Sequence, residues 1–178
     1  MAVIVKSYRS PVGEILLGSC NGTDREALCL ADWKYRKMRP AIDKRIQSEF
    51  GEYQEGSTPI IEEAIDQLEA YFQGNRTEFE LPLAFAGTDF QKAVWNALMQ
   101  IPYGKTETYL GLSRALGDEK AIRAVATANG ANALSILVPC HRIIGSDGDL
   151  VGYAGGLSAK KKLLELENPN RGEQLGLF

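Results

Sequence analysis

The sequence predicts an α+β chain: an antiparallel sheet with helices in the first half, then a mainly helical second half that holds a helix-turn-helix. Three observations carry this. Residues 1–33 read as short apolar runs joined by tight connections, the pattern of antiparallel strands. From Thr88 onward the apolar residues recur at helical spacing. Between the two, "TEFELPLAFAG" (residues 77–87) loses all periodicity and is punctuated by Pro82 and Gly87. It reads as a linker, which divides the chain into expected domains at 1–87 and 88–178.

Each element has its own reason. "MAVIVKSYRS" and "GEILLGS" are strands parted by Ser10–Pro11, and "REALCLADW" reads as a third. "AIDKRIQSEF" sets Ile42, Ile46 and Phe50 at four-residue steps, which fits a short amphipathic helix. "STPIIEEAIDQLEAYFQGN" is a stronger one. Ser57 or Thr58 caps it, Pro59 suits its first turn, Glu62 and Glu63 favour the positive end of its dipole, and Gly74 stops it. Its expected apolar face is Ile61, Ile65, Leu68 and Phe72. In the second half Thr88 caps "DFQKAVWNALMQIP", with Phe90, Val94, Leu98 and Ile101 expected inward. "TETYLGLSRALG" ends at Gly117, and "DEKAIRAVATANG" follows almost at once and ends at Gly130. Two helices joined by so short a turn outline a helix-turn-helix, and equally an αα-hairpin that packs a core. The second is slim, with Ala121, Ala124, Ala126 and Ala128, and Arg123 is its one long basic side chain. That shape suits entry into a DNA groove with Arg123 as a wedge, or close packing on another helix.

Composition narrows the classes. At 44% hydrophobic and 24% charged residues the chain is an ordinary globular one. No apolar run approaches the ~20 residues of a membrane span, and the start lacks a signal-peptide pattern, so the expected location is the cytoplasm. Residues 1–87 carry 10 Lys/Arg against 14 Asp/Glu, and residues 88–178 carry 10 against 9. Binding to a polyanion is therefore expected from the second half, through a local patch. The three cysteines, Cys20, Cys29 and Cys140, show no disulfide framework and read as free thiols. With one histidine in the chain they also lack the ligand count of a zinc site. No metal and no cofactor are expected, and Cys20 and Cys29 read as packing residues.

The stretch "ILVPCHRIIG" (residues 136–145) is different. The apolar, β-branched "SILVPC" predicts a buried strand or extended run that ends at Cys140, with Pro139 holding Val138 extended. A cysteine attacks as its thiolate, so a nucleophile needs a base, itself oriented by a carboxylate. His141 is the one histidine available. On an extended chain adjacent side chains point to opposite sides, so a bridging water is a reasonable relay. The orienting acid is sought in the helix "LSAKKKLLELE". A buried inert thiol beside a surface histidine fits the same residues equally well. Further on, "YAGG" (residues 153–156) is a small-residue loop before that helix, and its backbone N–H groups could reach a ligand at Cys140. Lys160–Lys162 read as a phosphate-facing or a solvated face.

Taken together, "PCHRIIGSDGDLVGYAGG", "IPYGKTETYLGLSRALG" and "KAIRAVATANGAN", in this order and spacing, resemble the O6-alkylguanine-DNA alkyltransferases, the methylated-DNA–protein-cysteine methyltransferases. The resemblance runs from about Thr88 to Glu167; the first 87 residues match in kind, as a ribonuclease H-like sheet-and-helix domain. It implies a repair protein that flips O6-alkylguanine, with O4-alkylthymine a further candidate, out of double-stranded DNA. The alkyl group moves onto the protein's own cysteine, once and irreversibly.

The resemblance also implies roles. Cys140 is the acceptor, His141 the base acting through water, Glu167 the residue that orients His141, and Tyr109 the donor toward the leaving guanine. Arg123 fills the gap in the stack, with Ala124 beside it on the DNA-binding helix. Asn132 is grouped with that DNA-binding set and braces the turn. The Cys140 and Ile143 carbonyls read the guanine amino group, and Tyr153 and the Ala154 N–H line the substrate site. A monomer is expected. Ser135 stands where animal members have a proline, which bears on bulky benzyl-type groups. The alternative is a protein of the same fold that recognises alkylated bases without chemistry and recruits other factors; the presence of Cys140 weighs against it.

Overall fold

The computed structural model describes residues 1–170; residues 171–178, the end of the expected second domain, lie outside the described residues. The chain separates into two compact units that meet between Gly87 and Thr88.

In the first unit, β1 (Ala2–Ser10), β2 (Gly13–Asn21) and β3 (Glu26–Trp33) form an antiparallel meander. The β1–β2 turn closes because the Ser10 hydroxyl donates to the Gly13 carbonyl at 2.6 Å. After α1 (Arg39–Phe50) comes a strand that the sequence pattern did not announce, β4 (Glu52–Glu55), parallel to β1. The sheet is therefore mixed, in the order β3-β2-β1-β4. The polar "EYQE" hides its strand character because it lies at the sheet edge, where both faces stay largely wet. Gly51, at φ +111°, makes this return possible: a Cβ there would collide with the Met1 carbonyl.

Helix α2 (Pro59–Phe72) starts as expected, with the Thr58 side chain accepting from the Ile61 N–H. Its buried stripe is Ile60, Ile61, Ala64, Gln67, Leu68 and Tyr71; Ile65 and Phe72 are half-buried, so the stripe sits slightly rotated from the expected face. Residues 77–87 are more than a linker. Leu28 N–H donates to the Pro82 carbonyl and Ala84 N–H to the Leu28 carbonyl, so this segment lines the outer edge of β3. A short stretch broken by proline carries no alternation long enough to reveal that pairing.

The second unit opens with α3 (Asp89–Leu98), where Thr88 and Gln91 form a reciprocal capping box. Val94, Trp95 and Leu98 are buried, whereas Phe90 is 42% exposed, against the sequence expectation. Trp95 takes the inward place and donates its ring N–H to the Ala128 carbonyl at 2.8 Å. A two-residue parallel ladder joins β5 (Glu107–Thr108) to β6 (Ile143–Ile144). Helix α4 (Tyr109–Ala115) is capped by Thr108. A single 3₁₀ turn at Glu119–Ala121 then leads into α5 (Ile122–Gly130), and α6 (Leu157–Glu167) follows the catalytic-looking segment. The expected helix over residues 119–129 thus begins as a 3₁₀ turn. Of its alanines, Ala124 is exposed, Ala121 and Ala126 are half-buried, and Ala128 is buried.

Candidate active site

The expected strand before Cys140 is instead a buried turn. Val138 N–H donates to the Leu134 carbonyl at 2.8 Å, and Ile136 adopts φ +72°, the one described non-glycine residue at positive φ. Apolar composition signalled burial correctly but could not distinguish a strand from a tight turn. Asn132 builds this turn. Its Oδ1 accepts from Leu134 N–H at 2.9 Å, and its Nδ2 donates to the Val138 carbonyl at 2.9 Å and to Cys140 Sγ at 3.2 Å. Asn132 is buried and its side chain bonds within the cysteine's surroundings. It braces the turn as the resemblance implies.

Cys140–Arg142 form a 3₁₀ turn, so the opposed side chains of an extended chain do not occur. Cys140 is buried and His141 is completely enclosed. His141 Nε2 lies 2.7 Å from Glu167 Oε2, while its Nδ1 is buried with no hydrogen-bond partner among the described residues. Burial lowers the histidine pKa and outweighs the pull of Glu167, so the ring is neutral at pH 7. Nε2–H then donates to the carboxylate, and Nδ1 carries the lone pair that accepts a proton. Glu167 is itself ionised. Burial opposes its charge, but His141 and Arg142 overcome this and hold its carboxyl well below the usual range. With His141 neutral, Arg142 supplies the full positive charge, through Nε to Oε1 at 2.8 Å and Nη2 to Oε2 at 3.0 Å.

The end of α6 is held from a second side. Arg142 Nη1 donates to the Ile101 carbonyl at 2.6 Å, and the Tyr103 hydroxyl donates to the Leu166 carbonyl at 3.3 Å. Gly104, at φ +77°, packs so close that a Cβ would lie 3.1 Å from the Glu167 carbonyl. The "IPYG" stretch therefore fixes the height of Glu167 beneath the histidine.

One member of this site was misread in the sequence. Lys160 is not solvated: it is 1% exposed and donates to the Val151 carbonyl at 2.8 Å. Burial brings its pKa down to about 8, and the Cys140 sulfur works in the opposite direction. Among the described residues Lys160 forms no ion pair, so its buried ammonium is uncompensated by a carboxylate. A signal was present: Lys160, Leu163, Leu164 and Glu167 fall on one helical face, and the resemblance gives Glu167 a role at His141.

Tyr109, the first residue of α4, is half-buried and feels the Cys140 charge. Burial and then the Cys140 charge raise its pKa, so the phenol stays protonated and can donate. Ile143 is buried in β6, and its N–H bonds the Cys140 carbonyl, which keeps a second lone pair for another donor. The ring of Tyr153 lies 6.5 Å from that of His141, edge to face, and Ala154 is half-buried in the turn that Gly156 N–H closes onto the Tyr153 carbonyl. Arg123 and Ala124 lie on the exposed face of α5, apart from this cluster.

Two family models match the chain: the ribonuclease-like domain of 6-O-methylguanine DNA methyltransferase over residues 3–85, and its DNA-binding domain over residues 89–169. A methylated-DNA–protein-cysteine methyltransferase of Methanosarcina acetivorans is 44% identical over 161 residues, covering 90% of this chain and 95% of that protein. The chain belongs to the methylated-DNA–protein-cysteine methyltransferase family. The methyltransferase of Mycobacterium leprae is 40% identical over 97% of both chains. Among solved structures, the O6-methylguanine methyltransferase of Mycobacterium tuberculosis superposes with a TM-score of 0.77 at 39% identity, over 99% of each chain. A structure of the M. tuberculosis protein in complex with DNA superposes equally well, at 37% identity over 95% of this chain and 94% of that one. The family's fold thus spans both units. No helix among the described residues is long and apolar enough to cross a membrane.

Proposed function

We propose that this chain repairs DNA directly, by taking the alkyl group of O6-alkylguanine onto Cys140. The observation that carries the reading is one buried sulfur that accepts the Asn132 N–H at 3.2 Å, followed directly in the chain by a neutral histidine whose Nε2 is tied to Glu167 and whose buried Nδ1 has no hydrogen-bond partner among the described residues. His141 takes the thiol proton by way of a bridging water. The thiolate attacks the alkyl carbon, the S–C bond forms, and the C–O6 bond breaks with its electron pair leaving on the base. Tyr109 donates toward that developing anion, and the proton lost by the thiol balances the one guanine gains. The product is a thioether that nothing in the site cleaves, so each molecule acts once.

O6 is buried within the base stack, so the nucleotide must leave it. The exposed face of α5, with Arg123 and the small Ala124, is the surface that meets duplex DNA, and Arg123 occupies the gap. Asn132 has its role inside the site. The Cys140 and Ile143 carbonyls receive the guanine amino group, and Tyr153 and the Ala154 N–H bound the pocket. The protein acts as a monomer without metal or cofactor. Its three free, buried thiols suit a reducing cytoplasm.

Intact-protein mass spectrometry after mixing with an O6-methylguanine duplex tests this. A gain of about 14 Da on the peptide that holds Cys140, at one methyl per protein, is the expected result. Tight binding to that duplex without mass gain would replace repair with damage recognition.

A further inference from the structure

We propose that the free edge of β1, beyond the end of β4, is a docking slot for an extended peptide of a partner protein. The peptide carries an apolar residue and, two positions on, a carboxylate. The slot belongs to the first unit and is independent of the cysteine's chemistry.

β4 covers only part of β1. Their register ends where Val5 lies opposite Glu55, and Gly56 N–H closes it on the Val5 carbonyl at 3.1 Å. The chain then leaves the sheet for α2. β1 runs on to Ser10, paired with β2 along its other side. Backbone groups alternate in direction along a strand. Ser7 and Arg9 therefore point their N–H and C=O groups to the same side as Val5, where no strand lies alongside them among the described residues. Both residues are exposed. Two donors and two acceptors in a row are matched by the backbone of another extended chain.

An open edge alone is ordinary surface, but this one borders a cavity of about 720 Å³. Val5, Ser7, Leu16, Lys34 and Tyr53 line it, together with residues 55–57 where β4 turns away. Val5, Ser7 and Arg9 share one face of β1. Leu16 lies opposite Ser7, and Lys34 Nζ donates to Ser7 Oγ at 2.9 Å on that same face. The Tyr53 hydroxyl donates to Asp43 at 2.8 Å, which fixes the ring as a wall. A side chain level with Ser7 on this face therefore meets Val5, Leu16 and Tyr53, an apolar floor. The next side chain on the face is two residues on, level with Arg9. Charge selects what it carries. Lys6 is bound to Glu62, and Lys34 engages Glu14 at 3.5 Å. Arg9 forms no ion pair among the described residues, although Glu14 is opposite it in the register. Arg9 is the cation left for a ligand carboxylate, and Glu55 at the other end of the cavity repels one placed there.

A positional-scanning library of N-acetylated hexapeptides, screened against the full chain by fluorescence anisotropy, tests the slot. The expected selection is a large apolar residue followed two positions later by Asp or Glu. Hydrogen exchange at the Ser7 and Arg9 amides is expected to slow when the selected peptide binds. Ser7→Pro removes an N–H that pairs with nothing in the fold, so methyl uptake should persist while peptide binding weakens about tenfold or more. Arg9→Glu should reverse the choice at the charged position from Asp or Glu to Lys or Arg. Selection of no sequence overturns the inference, as does a selected peptide that leaves the Ser7 and Arg9 amides exchanging at the free rate. If Ser7→Pro melts below the assay temperature, the selected peptide is N-methylated at alternate amides instead. Methylation of the amides that face β1 is expected to abolish binding, and methylation of the outward ones to leave it intact; equal effects overturn the inference.

Discussion

Cys29 and Cys140 are almost equally hidden, one in the sheet of the first unit and the other at the 3₁₀ turn of the second, yet their surroundings are opposite. Cys29 sits at the irregularity between β2 and β3, where its sulfur points to the Gly18 carbonyl at 3.7 Å. A hydrogen bond with Cys20, and then burial, push this thiol far above its ordinary range. Cys20 and burial together outweigh the backbone hydrogen bond that acts the other way, and keep the thiol protonated. Cys140 accepts an amide N–H from Asn132, which favours a sulfur anion, its charge is felt by the buried Lys160, and the next residue in the chain is a neutral histidine. Burial alone makes a thiol inert. The same burial, furnished with donors and a cation, strengthens every interaction that stabilises the thiolate.

The strongest way to break this contrast is to exchange the thiols for methyl groups. Cys140→Ala is expected to abolish methyl uptake while binding to an O6-methylguanine duplex persists. Cys20→Ala and Cys29→Ala are expected to retain the full one-to-one stoichiometry by mass spectrometry. Methyl uptake by Cys140→Ala would end the assignment.

Asn132→Leu comes next. It removes the N–H to sulfur and leaves the Val138 carbonyl and Leu134 N–H without their partner. Single-turnover transfer should fall about 100-fold and stability by about 3 kcal/mol in urea titration, in line with buried groups left unpaired. An unchanged rate would show that the sulfur does not depend on that donor.

Lys160→Met sharpens the comparison with two readouts of opposite sign. Transfer at pH 7 should slow about tenfold, the value of one lost charge contact, while Tm should rise by about 5 °C as an uncompensated buried cation is replaced. The sign follows from linkage. A lysine pKa lowered from 10.5 to about 8 in the fold means that the unfolded chain holds the proton more tightly. The penalty is full below pH 8 and fades as pH rises toward 10.5, so the Tm advantage of methionine should vanish across that window. Parallel Tm curves from pH 7 to 10 would contradict the buried, charged state.

The smallest effect is expected from Arg123→Ala, which leaves the sulfur's surroundings intact. It should slow repair in duplex DNA severalfold and leave transfer from the free base unchanged, since only the duplex has a gap to fill. Equal loss on both substrates would remove the wedge role.

These outcomes also mark what the sequence made legible. Helix starts at Thr58 and Thr88 were readable because capping is local chemistry. The Cys140–His141 pair stood out through a dense motif, and the proposed roles of Tyr109 and Glu167 come from the resemblance that the motif carries. The parallel strand β4 and the pairing of Pro82 and Ala84 with Leu28 were not, because both depend on partners distant in sequence. Phe90 and Trp95 share one helix, and periodicity alone did not reveal that the indole would turn inward to reach Ala128. Lys160 was obscured by its neighbours: three consecutive lysines look uniformly wet, although three adjacent helical positions spread over about 200° of the circumference and need not share one environment.

Ile136 carries a last consequence. A left-handed backbone costs an isoleucine on the order of 1–2 kcal/mol, and glycine would adopt it freely. Yet the side chain is 1% exposed, so it is part of the core in the turn that leads to Cys140. Relaxing the backbone would open a void worth more than the strain relieved. The position is a compromise between two incompatible optima, so improvement by single substitution is closed in either direction, and the turn is expected to resist drift.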